Sequence, residues 1–166
     1  TVEAGKMLAD DFWDTHSTNG RFDLWVYGPN GYVRSFKGSV ADAPRALPHV
    51  RLRLDKERRE VRLRVVNKGS RPWMFKVAAT AYRLDGHVRT FALAPGKSLE
   101  RSWSVARSGH WYDIKVQARH FAWRFAGRLE TGQDTVTDPL MGFGDANGGR
   151  HDSVADDETP TEAAGG

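Results

Sequence analysis

Three sets of residues in this 166-residue chain are of a type that could do chemistry. The first is the histidines, His16, His49, His87, His110, His120 and His151. No two of them stand at the i,i+4 spacing with which a helix presents a zinc pair, and with no cysteine in the chain there is no thiolate to join them. The second is a recurring aspartate. Asp23 sits between Phe22 and Leu24, and Asp113 between Tyr112 and Ile114. A recurring carboxylate flanked in this way on a strand reads as a structural hydrogen-bond acceptor rather than as an acid catalyst. The third is four arginines, Arg51, Arg53, Arg62 and Arg64, which alternate with Val50, Leu52, Leu54, Val61, Leu63 and Val65. If the aliphatic residues face a core, the arginines share the opposite face. Like charges across a ladder repel unless an acid or an external anion lies among them. The face is then neutralised by carboxylates of a neighbouring strand, or it meets lipid phosphates or an acidic partner. No G-x-S-x-G elbow and no Walker-type loop occurs, so no catalytic residue, metal or cofactor is expected from this chain.

The elements that must carry these residues read as strands. Asp23–Tyr27 alternates and runs into Gly28-Pro29-Asn30-Gly31, a turn in which Pro presets φ while Asn and Gly tolerate positive φ. Tyr32–Phe36 returns as its hairpin partner. Val50–Leu54 and Val61–Val65 alternate strictly. A long run, Pro72–Tyr82, is expected to be one strand ending at Asp85-Gly86, and His87–Ala94, Leu99–Val105, His110–Ala118 and Phe121–Glu130 complete the set. Short strands, frequent turns and no sustained 3.6-residue period predict an all-β, antiparallel β-sandwich, immunoglobulin-like or similar. On the strand alternation, Trp111 and Trp25 point away from the core side. Outward Trp beside cations suits a membrane interface or a domain contact, or it covers a gap between neighbouring units.

A self-similarity organises the chain. Gly5, Lys6, Leu8 and Phe12 match Gly96, Lys97, Leu99 and Trp103; Phe22–Val26 matches Tyr112–Val116; Arg34–Gly38 matches Trp123–Gly127. A unit of roughly 90 residues therefore recurs. The expected layout is the back part of a first sandwich repeat over 1–42, a proline-containing linker over 43–48, a complete second repeat over 49–142, and an acidic tail over 143–166. Phe143 to Gly166 holds one base and six acids, so with an overall charge of +4 the preceding residues carry +9. The tail has one large apolar side chain, Phe143, and too little surface to bury against its ordering entropy, so it is expected to be disordered. With its front strands missing from the first repeat and no starting Met, the chain is expected to be a fragment of a longer protein.

The residues Trp111–Val116, Trp123–Gly127, Leu129-Glu130-Thr131-Gly132 and Val136–Gly142, in that order, resemble the end of the bacterial phosphocholine-preferring phospholipases C. Phe22–Arg34 resembles the corresponding stretch of the first of that family's two tandem C-terminal domains. The resemblance covers about residues 1–142. It implies a non-catalytic accessory region of a secreted or periplasmic bacterial phospholipase C, whose catalytic phosphoesterase domain lies elsewhere and hydrolyses phosphatidylcholine to diacylglycerol and phosphocholine. The implied partners are that catalytic domain and a phospholipid membrane surface, with no nucleic acid. The candidate lipid or partner surface is Arg51, Arg53, Arg62, Arg64, Trp25 and Trp111. A partner-binding or carbohydrate-binding sandwich module is the alternative.

Overall fold

The structure is a computed structural model, and it describes Lys6 and residues 15–41, 48–79, 81–84, 87–134 and 136–140. The opening block of the self-similarity, most of the linker and the acidic tail lie outside the described residues.

Among the described residues nine strands follow in order: β1 (Arg21–Tyr27), β2 (Val33–Ser39), β3 (His49–Asp55), β4 (Glu60–Val66), β5 (Trp73–Ala78), β6 (Val88–Leu93), β7 (Ser98–Ser104), β8 (Trp111–Ala118) and β9 (Phe121–Arg128). They form a six-stranded sheet, β1-β2-β9-β8-β5-β6, and a three-stranded sheet, β3-β4-β7. Every pairing is antiparallel. This is the all-β sandwich that the alternation predicts.

Alternation explains which faces meet. Val61, Leu63 and Val65 of β4 are at most 1% exposed and pack with Trp73, Phe75 and Val77 of β5, Trp103 of β7, and Tyr112, Ile114 and Val116 of β8. Removing such side chains from water is the main favourable term, about 1.5–3 kcal/mol for each fully buried one. Leu54, expected to face inward with its neighbours, is 43% exposed near the end of β3, the edge strand of its sheet. Asn67 closes the bottom of the core. Its amide donates to the carbonyls of Arg71 (2.8 Å) and Leu93 (2.9 Å), and its side-chain oxygen accepts from the Gly69 N–H (2.9 Å).

The β1–β2 turn behaves as its sequence demands. Asn30 and Gly31 both take positive φ (54° and 65°), the Tyr32 N–H donates to the Pro29 carbonyl at 3.1 Å, and the Gly28 N–H donates to the Tyr32 carbonyl at 2.9 Å, closing a tight turn over Pro29–Gly31. One expected element is shorter than its run. β5 stops at Ala78 instead of continuing to Tyr82, and Ala81–Arg83 makes a 3-10 turn with Tyr82 at φ 56°. That turn brings the Tyr82 ring against Trp111, with centroids 6.1 Å apart, and its hydroxyl to Asp138 at 3.1 Å. Tertiary packing overrides the β propensity of the run here.

Candidate functional site

The four arginines do share one face. β3 and β4 pair so that Arg51 lies opposite Arg64 and Arg53 opposite Arg62, while β7 sets Ser102 opposite Arg62 and Glu100 opposite Arg64. Their electrostatic situations differ. Arg62 is ringed by carboxylates, with Asp55 at 3.8 Å, Glu60 at 3.7 Å and Glu100 at 3.3 Å. Arg51, Arg53 and Arg64 are exposed, and among the described residues none of them has a carboxylate within ion-pair distance. Glu100, although opposite Arg64 in register, turns to Arg62. The face is thus divided by its pairing: Arg62 takes the carboxylates, while Arg51 and Arg64 lie in the row farther from the β3–β4 turn. There His49, Arg51, Arg53, Arg64, Val66 and Lys68 line a shallow concavity of about 280 Å³. Sequence reasoning grouped Arg62 with this set and missed His49 and Lys68. His49 leads into β3 and Lys68 follows β4, and a reading of strand interiors passes over both.

The two tryptophans also part company. Trp25 is 47% exposed on β1; its indole N–H donates to Asp23 at 2.8 Å and its ring lies nearly parallel to the still more exposed Tyr27, 6.0 Å away. Trp111 is only 6% exposed, so of the readings offered for it the open lipid or partner surface does not hold, and a ring that covers a gap does. The alternation assigns it the outer face of the six-stranded sheet, but other segments cover that face. Tyr82 stacks on the ring, the Trp111 N–H donates to the Val136 carbonyl at 3.2 Å, and a Cβ placed on Gly31 would sit 2.7 Å from the ring. Trp111 therefore joins the β1–β2 turn to the rest of the sandwich.

The same seam is closed from inside by Arg34 of β2. Its guanidinium donates to the carbonyls of Val33 and Ala126, both at 2.8 Å, and to the Tyr112 hydroxyl at 3.0 Å, while lying 4.2 Å from the Tyr32 ring centroid and 5.4 Å from that of Phe125. Burial pushes the Tyr112 phenol above its usual range, with the Arg34 hydrogen bond acting in the opposite sense. Phe36 meets Phe125 edge-on at 6.4 Å, and the Asn30 amide donates to Glu130 at 2.8 Å. Sequence reasoning did not single out Arg34, since an arginine between Val33 and Ser35 looks like any outward base.

The cross-strand partners in the two hairpins correspond. β1 and β2 pair Phe22 with Gly38, Leu24 with Phe36 and Val26 with Arg34; β8 and β9 pair Tyr112 with Gly127, Ile114 with Phe125 and Val116 with Trp123. In each hairpin the aromatic residue that precedes the aspartate is opposite a glycine. The aspartates are held alike by a base of the following strand. Asp113 accepts two hydrogen bonds from Arg124 (3.1 and 2.8 Å), and Asp23 accepts one from Lys37 (2.9 Å) that holds its carboxyl below the usual range. Both are acceptors tied to their own sheet, an arrangement that spends their lone pairs on structure rather than on a proton to be transferred.

With the geometry in place, the chain can be set beside known proteins. The sequence signature of the family described as bacterial phospholipase C, C-terminal domain, matches residues 1–39 and 48–128. The chain belongs to this family. Among individual relatives, this phospholipase C C-terminal chain is 37% identical over 151 residues to a non-hemolytic phospholipase C of Pseudomonas aeruginosa, covering 87% of this chain and 21% of that protein. It is 38% identical over 146 residues to a non-hemolytic phospholipase C of Burkholderia pseudomallei, covering 85% and 20%. It is 32% identical over 145 residues to a hemolytic phospholipase C of Pseudomonas aeruginosa, covering 84% and 20%. The chain therefore spans about a fifth of the length of the curated relatives it matches. The family's two matched stretches contain the β1–β2 hairpin and the arginine face respectively, whereas Val136 and Asp138, which cover Trp111 and hold Tyr82, lie beyond them.

Proposed function

We propose that this chain is a non-catalytic accessory region of a secreted or periplasmic bacterial phospholipase C. A phosphoesterase domain elsewhere in the parent protein hydrolyses phosphatidylcholine to diacylglycerol and phosphocholine, and this region supports that domain. Residues 1–42 are the end of a first repeat, 43–48 a linker and 49–142 a complete second repeat. The observation that carries the reading is the double match of one family signature, to 1–39 and to 48–128, together with hairpins whose partners correspond strand for strand.

A contrast between the hairpins supports an attachment role. Ile114 and Val116 of β8 are wholly buried, but their counterparts on β1 are not: Leu24 is partly buried and Val26 is 51% exposed. Among the described residues, then, this strand's core-side face is short of its cover. In this reading the cover is the preceding strands of the first repeat, which join the region to the catalytic part of the same protein.

The test has two arms. The chain is incubated with phosphatidylcholine vesicles and released phosphocholine is measured; release at the level of a buffer blank is expected, and sustained turnover overturns the non-catalytic assignment. The chain is also extended N-terminally by the parent's preceding residues, and backbone amide exchange is followed on β1. Protection of Leu24 and Val26 should rise in the longer protein, and unchanged protection removes the attachment role.

A further inference from the structure

The geometry points to a phosphate-binding site on the outer face of the three-stranded sheet, formed by Arg51, Arg53 and Arg64 with Lys68 and His49 at its rim. It stands independently of the accessory role. The observations are the register, the unequal sharing of carboxylates and the concavity. Opposite residues on adjacent strands lie ~5 Å apart and alternate residues along one strand ~7 Å apart, so Arg51, Arg53 and Arg64 occupy three corners of a small rectangle, with Arg62 at the fourth. Arg62 is already neutralised by Asp55, Glu60 and Glu100. The other three have no carboxylate within ion-pair distance among the described residues and together line a concavity of about 280 Å³ with His49, Val66 and Lys68, while Arg53 and Arg64 also border a neighbouring hollow lined by Asp55, Glu57 and Glu100. Like charges set face to face in this way cost stability when nothing lies between them. A tetrahedral oxyanion between them removes the repulsion and offers three or more oxygens to planar forks that can each engage two. Glu100, the acid opposite Arg64 in register, pairs with Arg62 at 3.3 Å instead. A phosphate suits the site better than a carboxylate peptide, because a planar carboxylate can satisfy one fork and leaves the other two facing each other.

The phosphate has two candidate sources, a lipid headgroup or a free phosphate ion, and the experiment separates them. The whole chain is titrated with inorganic phosphate while the arginine side-chain N–H resonances are followed by NMR, and it is co-sedimented with phosphatidylcholine vesicles with and without phosphatidylglycerol. Shifts confined to Arg51, Arg53 and Arg64 in the first arm, or sedimentation that requires phosphatidylglycerol in the second, support the site; the arm that responds names the source. The variant R51Q/R53Q/R64Q should bind on the order of a hundredfold less to anionic vesicles. A control with the same charge change elsewhere, K76Q/R107Q/K115Q, should bind as the parent does. These three site residues are exposed, so their removal relieves repulsion, and a thermal melt no lower than the parent's confirms that folding is intact. No response in either arm overturns the site. So does equal loss in the control variant, which would reduce the effect to overall charge, and so does a stronger response to a polyglutamate peptide than to phosphate, which would make the face a protein contact.

Discussion

The guanidinium of Arg34 and the hydroxyl of Tyr112 meet at 3.0 Å across the seam where β2 joins β9. The tyrosine is 1% exposed, so this bond replaces water that cannot reach it. Arg34→Ala leaves the Tyr112 hydroxyl and the Ala126 carbonyl without this donor and removes the plane that rests on Tyr32 and Phe125. The expected cost is about 2–3 kcal/mol, read from the midpoint of urea unfolding. Tyr112→Phe keeps the packing and should cost about 1 kcal/mol. If the alanine variant unfolds at the parent's urea concentration, the seam does not depend on this residue.

Gly38 is the second point at which the hairpin is locked to β9. A methyl group there would collide with the ring of Phe121 and stand 2.9 Å from the tip of Phe22. Both rings are packed, Phe121 in the core and against Trp73, so neither can swing aside freely. Gly38→Ala should destabilise by about 1–3 kcal/mol through overpacking, with a drop in melting temperature as the readout. The ordinary preference of strands for alanine over glycine predicts the opposite sign, so the experiment separates the two effects.

Trp25 and Trp111 make a matched pair of substitutions. Trp111→Ala removes a ring enclosed by Tyr82, Gly31 and the Val136 segment, and about 3–5 kcal/mol of stability should go with it. Trp25→Ala removes a half-exposed ring, and the change should stay within about 1 kcal/mol. Acrylamide should quench the emission lost on removing Trp25 far more than that lost on removing Trp111. Comparable quenching of the two would contradict their placement.

At alkaline pH the phenols of the part-buried Tyr82 and the buried Tyr112 lower stability. Tyr82 is raised by burial and by Asp138, and Tyr112 by burial, from an ordinary value of 10.0. In the unfolded chain both lose their protons near that value, whereas the folded chain retains them. Above it the unfolded state binds fewer protons, so stability falls as pH rises, and below it the contribution is full and constant. The urea midpoint should be level up to about pH 9 and decline beyond about pH 10, with a shallower decline in a Tyr82→Phe/Tyr112→Phe variant. A midpoint that rises over that range would reverse the assignment.

The strand pattern was legible wherever the inner and outer faces differ in chemistry, as in Val61–Val65, where every second residue is wholly buried. It misled where a face that alternation marks as outer is covered by something with no period of its own. Trp111 was assigned to the outer face and lies on it; that its ring covers a gap was one of the readings, but loops carry no spacing that would name Tyr82 and Val136 as what it meets. The arginine face was legible as a face because β3 and β4 pair without a bulge. The exclusion of Arg62 was not, since it depends on which rotamer brings Glu100 across the ladder. Arg34 was invisible for the same reason as Trp111: a strand position says which side a group leaves by and nothing of what it then meets.

The hydrogen-bond ladder that runs without a break from β1 to β6 has a mechanical consequence. The hairpin is attached to the rest of the sandwich by the β2–β9 ladder as well as by the covalent chain. A single protease nick between β2 and β3 would leave two pieces held by the β2–β9 ladder, Arg34 and the ring of Trp111, and they should travel as one particle through a sizing column. Whatever pulls on the front hairpin therefore pulls on the sandwich as one plate rather than on two beads joined by string.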